Sequence, residues 1–152
     1  MPLRILIADD HQELREMLKA LLETHAGWQV CGEAINGLEA VQKAADLKPD
    51  VIILDLSMPE MDGLQAASQI SSASPDLPIL IYTSHAVSPE AKLEAKKHGV
   101  WGVLNKGASP EQLINAVESL QSLRSADTAK QGANAEHTDT APAKDPKDSS
   151  AV

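Results

Sequence analysis

Five short apolar runs, each followed by a segment of helical periodicity, constrain the fold of this chain more than any other feature. The runs cover residues 3–7, 28–31, 51–54, 78–82 and 101–104. After the first run, Leu14, Leu18 and Leu21 recur at the spacing of one helix face. Strands that alternate with helices form a parallel sheet with helices on both faces. Because a barrel needs eight such units, we expect a doubly wound, open α/β sheet of five parallel strands with five helices.

Turn and capping residues indicate where several helices begin. The turn pair Asn36-Gly37 opens the second helix. Ser88 stands before a proline that suits the first helical position. Ser109 is followed three residues later by Gln112, which is the spacing of a capping box. We therefore expect helices that start after residues 36, 88 and 109.

The end of the chain differs in composition from the rest. Residues 125–152 contain no Leu, Ile, Met, Phe, Tyr or Trp, and their apolar side chains are seven alanines and Val152. Such a segment cannot bury enough surface to offset the entropy lost on ordering. We expect a folded domain over residues 1–124 and a disordered, acidic tail rich in Ala, Ser, Asp, Lys and Pro over residues 125–152.

Charge and hydropathy exclude several classes of function. The chain carries 22 Asp and Glu against 13 Lys and Arg, a net charge of −9. Direct binding of nucleic acid is not expected, because it needs a basic surface. No apolar run approaches the roughly 18 residues of a membrane helix. With one cysteine, Cys31, and no signal-peptide pattern at its start, the chain is expected to be cytoplasmic, with no membrane partner.

Three acids stand where two of the predicted strands end. Asp9 and Asp10 follow the first strand, and Asp55 follows the third. In doubly wound sheets the functional site lies beyond the carboxyl ends of the strands, and carboxylates gathered there repel one another unless a cation is present. A hard divalent ion, Mg²⁺ above all, suits such oxygen ligands. The alternative for Asp10 is a capping role at the first helix, with Glu13 completing the box.

Complementary side chains follow the fourth and fifth strands. Thr83 and Ser84 end the fourth, and Lys106 follows the fifth. A phosphoryl group needs hydrogen-bond donors and positive charge around its oxygens. Hydroxyls and an ammonium group beside carboxylates and Mg²⁺ therefore indicate a phosphoryl site.

Taken together, these motifs resemble the receiver domain of two-component response regulators. The residues that carry the resemblance are Ile7-Ala8-Asp9-Asp10-His11, the segment 55–63, the pair Thr83-Ser84 and the segment 99–106. It covers residues 3–123 and implies the flavodoxin-like strand order 2-1-3-4-5. The Asp-Asp-His opening and residues 106–111 are similar to receivers of LuxR-type transcription regulators, although we expect this chain to lack their helix-turn-helix DNA-binding domain.

The resemblance implies a role for each acid. Asp55 would be the nucleophile that accepts a phosphoryl group from a sensor histidine kinase or a histidine phosphotransfer protein. Mg²⁺ would be held by Asp10, Asp55 and the backbone carbonyl of Ser57, while Asp9 would act through a bound water.

It also implies roles for the polar strand ends. Lys106 would pair with the phosphoryl oxygens, and the hydroxyl of Thr83 would move toward them. Ser84 is small, as suits a position whose N–H approaches the phosphate. The protein would catalyse its own phosphorylation and dephosphorylation, with Ser57 and His85 beside the path of the attacking water.

One position departs from the usual receiver pattern. Many receivers carry an aromatic residue three positions before the lysine, where its ring moves as the threonine moves, and here that switch position is Val103. Tyr82 is no obvious substitute, because neighbouring strand residues point to opposite faces. Trp101 is expected on the same face as Val103, where it would either carry part of the switch or serve as plain packing.

Three functions are compatible with this sequence. The leading one is a single-domain response regulator that signals through phosphorylation-dependent contacts with an unknown protein target. The alternative is the receiver portion of a transcription regulator whose DNA-binding domain is absent. A third is a hydrolase of the aspartyl-phosphate type, but such enzymes need a second acid two residues after the nucleophile, where this chain has Ser57.

Overall fold

Five strands alternate with five helices in a computed structural model that describes residues 2–137, with side chains described as far as residue 125. The elements are β1 (Leu3–Ala8), α1 (Gln12–Leu22), β2 (Trp28–Ala34), α2 (Gly37–Leu47), β3 (Val51–Leu54), α3 (Gly63–Ala73), β4 (Ile79–Thr83), α4 (Pro89–Lys97), β5 (Gly102–Asn105) and α5 (Pro110–His137). The alternation of strands and helices expected from the apolar runs is confirmed.

The strands form one sheet in the order β2-β1-β3-β4-β5, and every neighbouring pair is parallel. This confirms the doubly wound fold and the order 2-1-3-4-5. Strand β2 runs to Ala34, beyond the expected end at residue 31, because Gly32 and Glu33 continue the pairing with β1 after a register shift between Ile5 and Leu6. An edge strand needs no continuous apolar run, and the strand predicted from hydropathy alone was therefore too short.

Each face of the sheet has its own apolar core. One core contains Leu18 and Leu22 of α1 with Leu113 and Val117 of α5. The other contains residues of α2, α3 and α4, among them Ile70. Strand β3 is buried along its whole length between the two cores, as its uninterrupted apolar sequence predicted. The helices on both faces leave the carboxyl ends of the central strands as the place for a site.

The helix starts predicted from capping residues are confirmed. The side chain of Asn36 accepts a hydrogen bond from the N–H of Glu39 at 2.8 Å. Ser88 caps α4 by accepting from the N–H of Ala91 at 3.1 Å. The last capping box is reciprocal, and its hydrogen bonds are Gln112 N–H to Ser109 Oγ at 3.2 Å and Ser109 N–H to Gln112 Oε1 at 2.8 Å.

Helix α5 continues to His137, past residue 124, where the sequence places the end of the folded domain. Residues 125–137 are therefore helical where disorder was expected. Once a helix has formed, extending it adds one backbone hydrogen bond per residue, and alanine favours this extension even where there is little apolar surface to bury. The chain divides after Gln121 into two units, and the sheet lies in the first. Residues 138–152 of the expected tail lie outside the described residues, and the boundary at 124 stays a prediction.

Candidate functional site

The acids predicted at the strand ends lie side by side in the fold. Ala8 at the end of β1 pairs with Leu54 at the end of β3, so the residues that follow them, Asp9 and Asp55, leave the sheet at the same edge. The N–H of Asp55 donates to the carbonyl of Ala8 at 2.9 Å. Both carboxylates are buried, with Asp9 2% and Asp55 5% exposed. Asp10 follows Asp9 and is exposed to solvent. All three acids thus belong to one pocket.

Lys106 reaches this pocket from the end of β5. Its Nζ lies 2.8 Å from Oδ2 of Asp9 and 3.5 Å from Oδ2 of Asp55. The backbone of Lys106 is held by a hydrogen bond from its N–H to the carbonyl of Thr83 at 2.8 Å. The phenol of Tyr82 donates to the carbonyl of Lys106 at 3.5 Å. The structure therefore brings together the acids and the lysine that the strand ends predicted.

The electrostatics of the pocket follow from its burial. Loss of solvent and the nearby charge of Asp9 raise the pKa of Asp55, although Lys106 and the backbone N–H groups of Leu56 and Ser57 act in the opposite direction. For Lys106, burial lowers the pKa, but the hydrogen bond to Asp9 and the attraction of Asp55 outweigh it, and the pKa is raised. The surroundings thus favour the charged form of Lys106 and disfavour the charged form of Asp55.

Four residues could contribute ligands to a metal ion. One ligand atom each from Asp9, Asp10, His11 and Asp55 can be chosen so that all lie within 4.8 Å of one another. Carboxylate oxygens are the ligands that Mg²⁺ prefers, and two of these carboxylates are buried where a cation would relieve their repulsion. A cleft beside the acids is lined by Asp10 and by the loop after β3, including Ser57. The donor set fits Mg²⁺.

The capping alternative for Asp10 is wrong. Helix α1 has His11 as its N-cap, without a side-chain cap hydrogen bond. The N–H of His11 instead donates to Oδ1 of Asp9 at 2.9 Å. Asp10 is therefore left facing the pocket rather than closing a helix end.

The hydroxyls near the pocket are arranged in a chain of contacts. Thr83 is fully buried, and its Oγ1 accepts a hydrogen bond from the N–H of His85 at 3.2 Å. The ring Nε2 of His85 lies 3.1 Å from Oγ of Ser57. Ser84, between them in sequence, is exposed. His85 thus links the end of β4 to the loop that follows Asp55.

Sequence reasoning missed two residues of the site. His11 places Nδ1 3.1 Å from Oδ1 of Asp9 and 3.2 Å from Oδ1 of Asp10. Arg15 is 9% exposed, donates from Nη1 to the carbonyl of Asp9 at 2.7 Å, and pairs through Nε with Glu33 at 2.9 Å. A signal for Arg15 was present, since it stands three residues before Leu18 on the buried stripe of α1. A charge on an apolar stripe needs a polar partner.

The expected position of Trp101 is wrong. Val103 packs against the core on the side of α2, α3 and α4, whereas Trp101 packs against the core on the side of α1 and α5. Strand β5 begins only at Gly102, so the alternation of strand side chains does not extend back to Trp101. Tyr82 lies in the core of α1 and α5, away from Val103, as its place on β4 predicted.

Comparison with known proteins identifies relatives of this chain. A family model described as response regulator receiver domain matches residues 5–118. The chain is 41% identical over 116 residues to the transcriptional regulatory protein YdfI of Bacillus subtilis, a match over 76% of this chain and 54% of that protein. It is 38% identical over 118 residues to the chemotaxis protein CheY of Thermotoga maritima, a match over 77% of this chain and 96% of that protein.

A solved structure shows the same fold. The crystal structure of a LuxR-family two-component response regulator from Aurantimonas sp. SI85-9A1 superposes with a TM-score of 0.76 at 32% sequence identity, covering 80% of this chain and 86% of that one.

The chain spans about half the length of YdfI. Within residues 2–137, no helix combines the length and the hydropathy that crossing a bilayer requires.

Proposed function

This chain belongs to the response regulator receiver domain family, and from that premise we propose that it is a phosphorylation switch whose phosphoacceptor is Asp55. The observation that carries the proposal is the convergence of two buried carboxylates, those of Asp55 and Asp9, with the ammonium group of Lys106 at one edge of the sheet. A buried carboxylate beside a fixed ammonium group is placed to attack phosphorus while the charge of the incoming group is balanced.

The phosphodonor is a histidine-linked phosphoryl group of a sensor kinase or a phosphotransfer protein. A carboxylate oxygen of Asp55 attacks phosphorus, and the bond between phosphorus and the donor's imidazole nitrogen breaks. The electron pair leaves with that nitrogen, which takes up a proton, and Asp55 becomes an acyl phosphate. The other residues form no covalent bond in this step, so catalysis consists of positioning and charge neutralisation.

Asp10, Asp55 and the backbone carbonyl of Ser57 would hold the metal, with Asp9 acting through a water. When bound, Mg²⁺ neutralises charge on the phosphoryl oxygens. Lys106 supplies the second positive charge beside Asp55. Because Lys106 already lies within 3.5 Å of Asp55, a short movement from Asp9 brings its ammonium group to a phosphoryl oxygen.

Signalling follows from the charge that phosphorylation adds. A phosphoryl group brings roughly 1.5 to 2 negative charges, and its contacts with Lys106 and the hydroxyl of Thr83 supply the differential energy that a switch needs. Val103 occupies the position of the usual aromatic switch residue. The phosphorylated form then binds a downstream protein target in the cytoplasm, without direct contact with nucleic acid or membrane.

The return to the resting state is hydrolysis of the acyl phosphate by the protein itself. Ser57 Oγ lies 3.1 Å from His85 Nε2, and these two side chains flank the path of the attacking water. Self-phosphorylation and self-dephosphorylation are the catalysis this chain performs.

A second candidate is the receiver portion of a longer transcription regulator. It is favoured by one observation, that the match with YdfI, named a transcriptional regulatory protein, covers 54% of that protein. In that case the target of the switch would be a DNA-binding domain of the same polypeptide rather than a separate protein.

Intact-mass spectrometry after incubation with acetyl phosphate tests the phosphoacceptor. With Mg²⁺ we expect the mass of the protein to increase by one phosphoryl group. We expect no increase when the metal is chelated, and none in Asp55→Asn. Asp76→Asn is the matched control, because Asp76 is exposed in the turn before β4 and should be phosphorylated normally. Phosphorylation that persists in Asp55→Asn would overturn the proposal.

A further inference from the structure

We propose that His11 contributes an imidazole nitrogen to the metal pocket, which makes it a mixed oxygen and nitrogen site that favours transition-metal dications such as Ni²⁺, Co²⁺ and Zn²⁺ over Mg²⁺. This inference deepens the proposed function and rests on it, because it concerns the metal of the same pocket. The acids remain the ligands for Mg²⁺, and His11 adds a preference for ions that bind nitrogen.

The spacing of the ligand atoms supports the inference. Nδ1 of His11 lies 3.1 Å from Oδ1 of Asp9 and 3.2 Å from Oδ1 of Asp10. Neighbouring ligands around an octahedral ion with bonds of about 2.1 Å are roughly 3.0 Å apart. The nitrogen therefore stands from Asp10 at the distance of adjacent ligands of one ion, and it lies equally near Asp9, which acts on the ion through a water. Asp55 completes the group, since all four ligand atoms lie within 4.8 Å.

The backbone holds His11 in this place. Its N–H donates to Oδ1 of Asp9 at 2.9 Å, and its carbonyl accepts from the N–H of Arg15 at 3.1 Å as the first bond of α1. The guanidinium of Arg15 fixes the carbonyl of Asp9 at 2.7 Å. The ring is 70% exposed, so an ion can reach it from solvent. The donor is thus anchored at its backbone and accessible at its nitrogen.

The chemistry of the donor atoms determines which metal ions bind more tightly when His11 is a ligand. Carboxylate and carbonyl oxygens suit Mg²⁺, Ca²⁺ and Mn²⁺, whereas imidazole suits Zn²⁺, Cu²⁺, Fe²⁺ and Ni²⁺. Adding one imidazole to an acidic pocket therefore raises affinity along the transition series and leaves Mg²⁺ almost unaffected. A pocket formed by the three acids alone would lack this increment.

A different role for His11 would have a different signature. If the ring served only as a hydrogen-bond partner of Asp9 and Asp10, its removal would free both acids and change the affinity for every dication in the same direction. A ligand role instead predicts a loss confined to ions that bind nitrogen. The two roles are therefore separated by comparing Mg²⁺ with Ni²⁺ in one pair of proteins.

Isothermal titration calorimetry of His11→Ala provides that comparison. Loss of an outer-shell partner of a metal ligand weakens affinity by at least about tenfold, and loss of an inner ligand should cost no less. We expect Ni²⁺ and Zn²⁺ to bind at least about tenfold more weakly to the variant, with Mg²⁺ affinity nearly unchanged. His98→Ala is the matched control, because His98 contacts Ser68 and Glu94 at the far end of α4. Equal changes for Mg²⁺ and Ni²⁺ would refute the ligand role.

Proton NMR of the Co²⁺-loaded protein gives a second readout. A coordinated imidazole should show strongly shifted ring resonances that are present in the wild type and in His98→Ala and absent in His11→Ala. Co²⁺ binding that depends on Asp10 but shows no such resonances would overturn this inference and leave the metal-dependent phosphorylation intact. If no dication binds in a manner that depends on Asp10, the inference and the proposed function both fail.

Discussion

Lys106 donates from Nζ to Oδ2 of Asp9 at 2.8 Å and lies 3.5 Å from Oδ2 of Asp55, so one ammonium group bridges two buried carboxylates. The side chains of Asp9 and Asp55 are 3% and 6% exposed, and such acids need a nearby cation. The lysine and a metal ion therefore compete for the same negative charge. This competition has consequences that can be measured.

Replacement of Lys106 by Met should strengthen metal binding and weaken phosphorylation. Without the ammonium group the two buried carboxylates lose the cation that contacts them, so Mg²⁺ should bind more tightly by calorimetry. Phosphorylation by acetyl phosphate should slow, because the second positive charge beside the phosphoryl group is lost. Lys97→Met, at a side chain that is 75% exposed, should change neither. Weaker Mg²⁺ binding in the Lys106 variant would contradict the competition.

The pH dependence of stability without metal should carry the signature of Asp55. Because its pKa is raised by burial and by the charge of Asp9, the folded protein binds more protons than the unfolded chain between about 4, the ordinary pKa of Asp, and the raised value. The contribution of Asp55 to the free energy of unfolding therefore decreases as pH rises through that window.

Asp55→Asn should remove this contribution, and the metal-free variant should be more stable than the wild type at neutral pH. Urea denaturation in the presence of a chelator, at mildly acidic and at neutral pH, measures the difference. If the difference in free energy of unfolding between the two proteins does not increase from acidic to neutral pH, the charged form of Asp55 is not destabilised by its surroundings.

Gly63, the first residue of α3, should not tolerate a side chain. A Cβ there would lie 2.2 Å from the carbonyl oxygen of Asp55 and 2.8 Å from Cα of Leu56, and both are backbone atoms that must shift. Gly63→Ala should destabilise the protein by about 1–3 kcal/mol and slow phosphorylation, because the shift displaces the loop after β3. Gly102→Ala is the control, since its Cβ would make only ordinary contacts with Leu80 and Leu120.

Arg15 should contribute more to the free energy of unfolding than an ordinary surface arginine. Arg15→Met removes its hydrogen bond to the carbonyl of Asp9 and its pairing with Glu33. Leaving a buried acceptor without a partner costs about 1–3 kcal/mol, so thermal or urea denaturation should show a loss of that size. Glu33→Gln, which keeps an acceptor oxygen at a partly exposed position, should cost less. An equal or larger loss in Glu33→Gln would assign the effect to the ion pair rather than to the carbonyl of Asp9.

Much of the site could be predicted from sequence because its residues follow buried strands. Asp9, Asp55 and Lys106 each stand one or two residues beyond an apolar run, and parallel strands bring such positions to one edge. Arg15 was missed because its partner Glu33 lies on another element, and His11 was missed because the direction of its ring depends on side-chain torsions that the sequence does not show. The position of Trp101 was wrong because hydropathy does not show at which residue β5 begins.

The sequence by itself determined the doubly wound sheet, the family of the chain and the group of acids, hydroxyls and lysine at its strand ends. These depend on local periodicity and on the order of elements, both of which are present in the linear chain. Only the tertiary structure decided that Lys106 bonds to Asp9 more closely than to Asp55, that Arg15 holds the carbonyl of Asp9 and that His11 faces two acids. Capping bonds can be predicted because their partners lie three residues apart, but these contacts depend on side-chain torsions and, for Lys106 and Asp9, on segments that meet only in the folded chain.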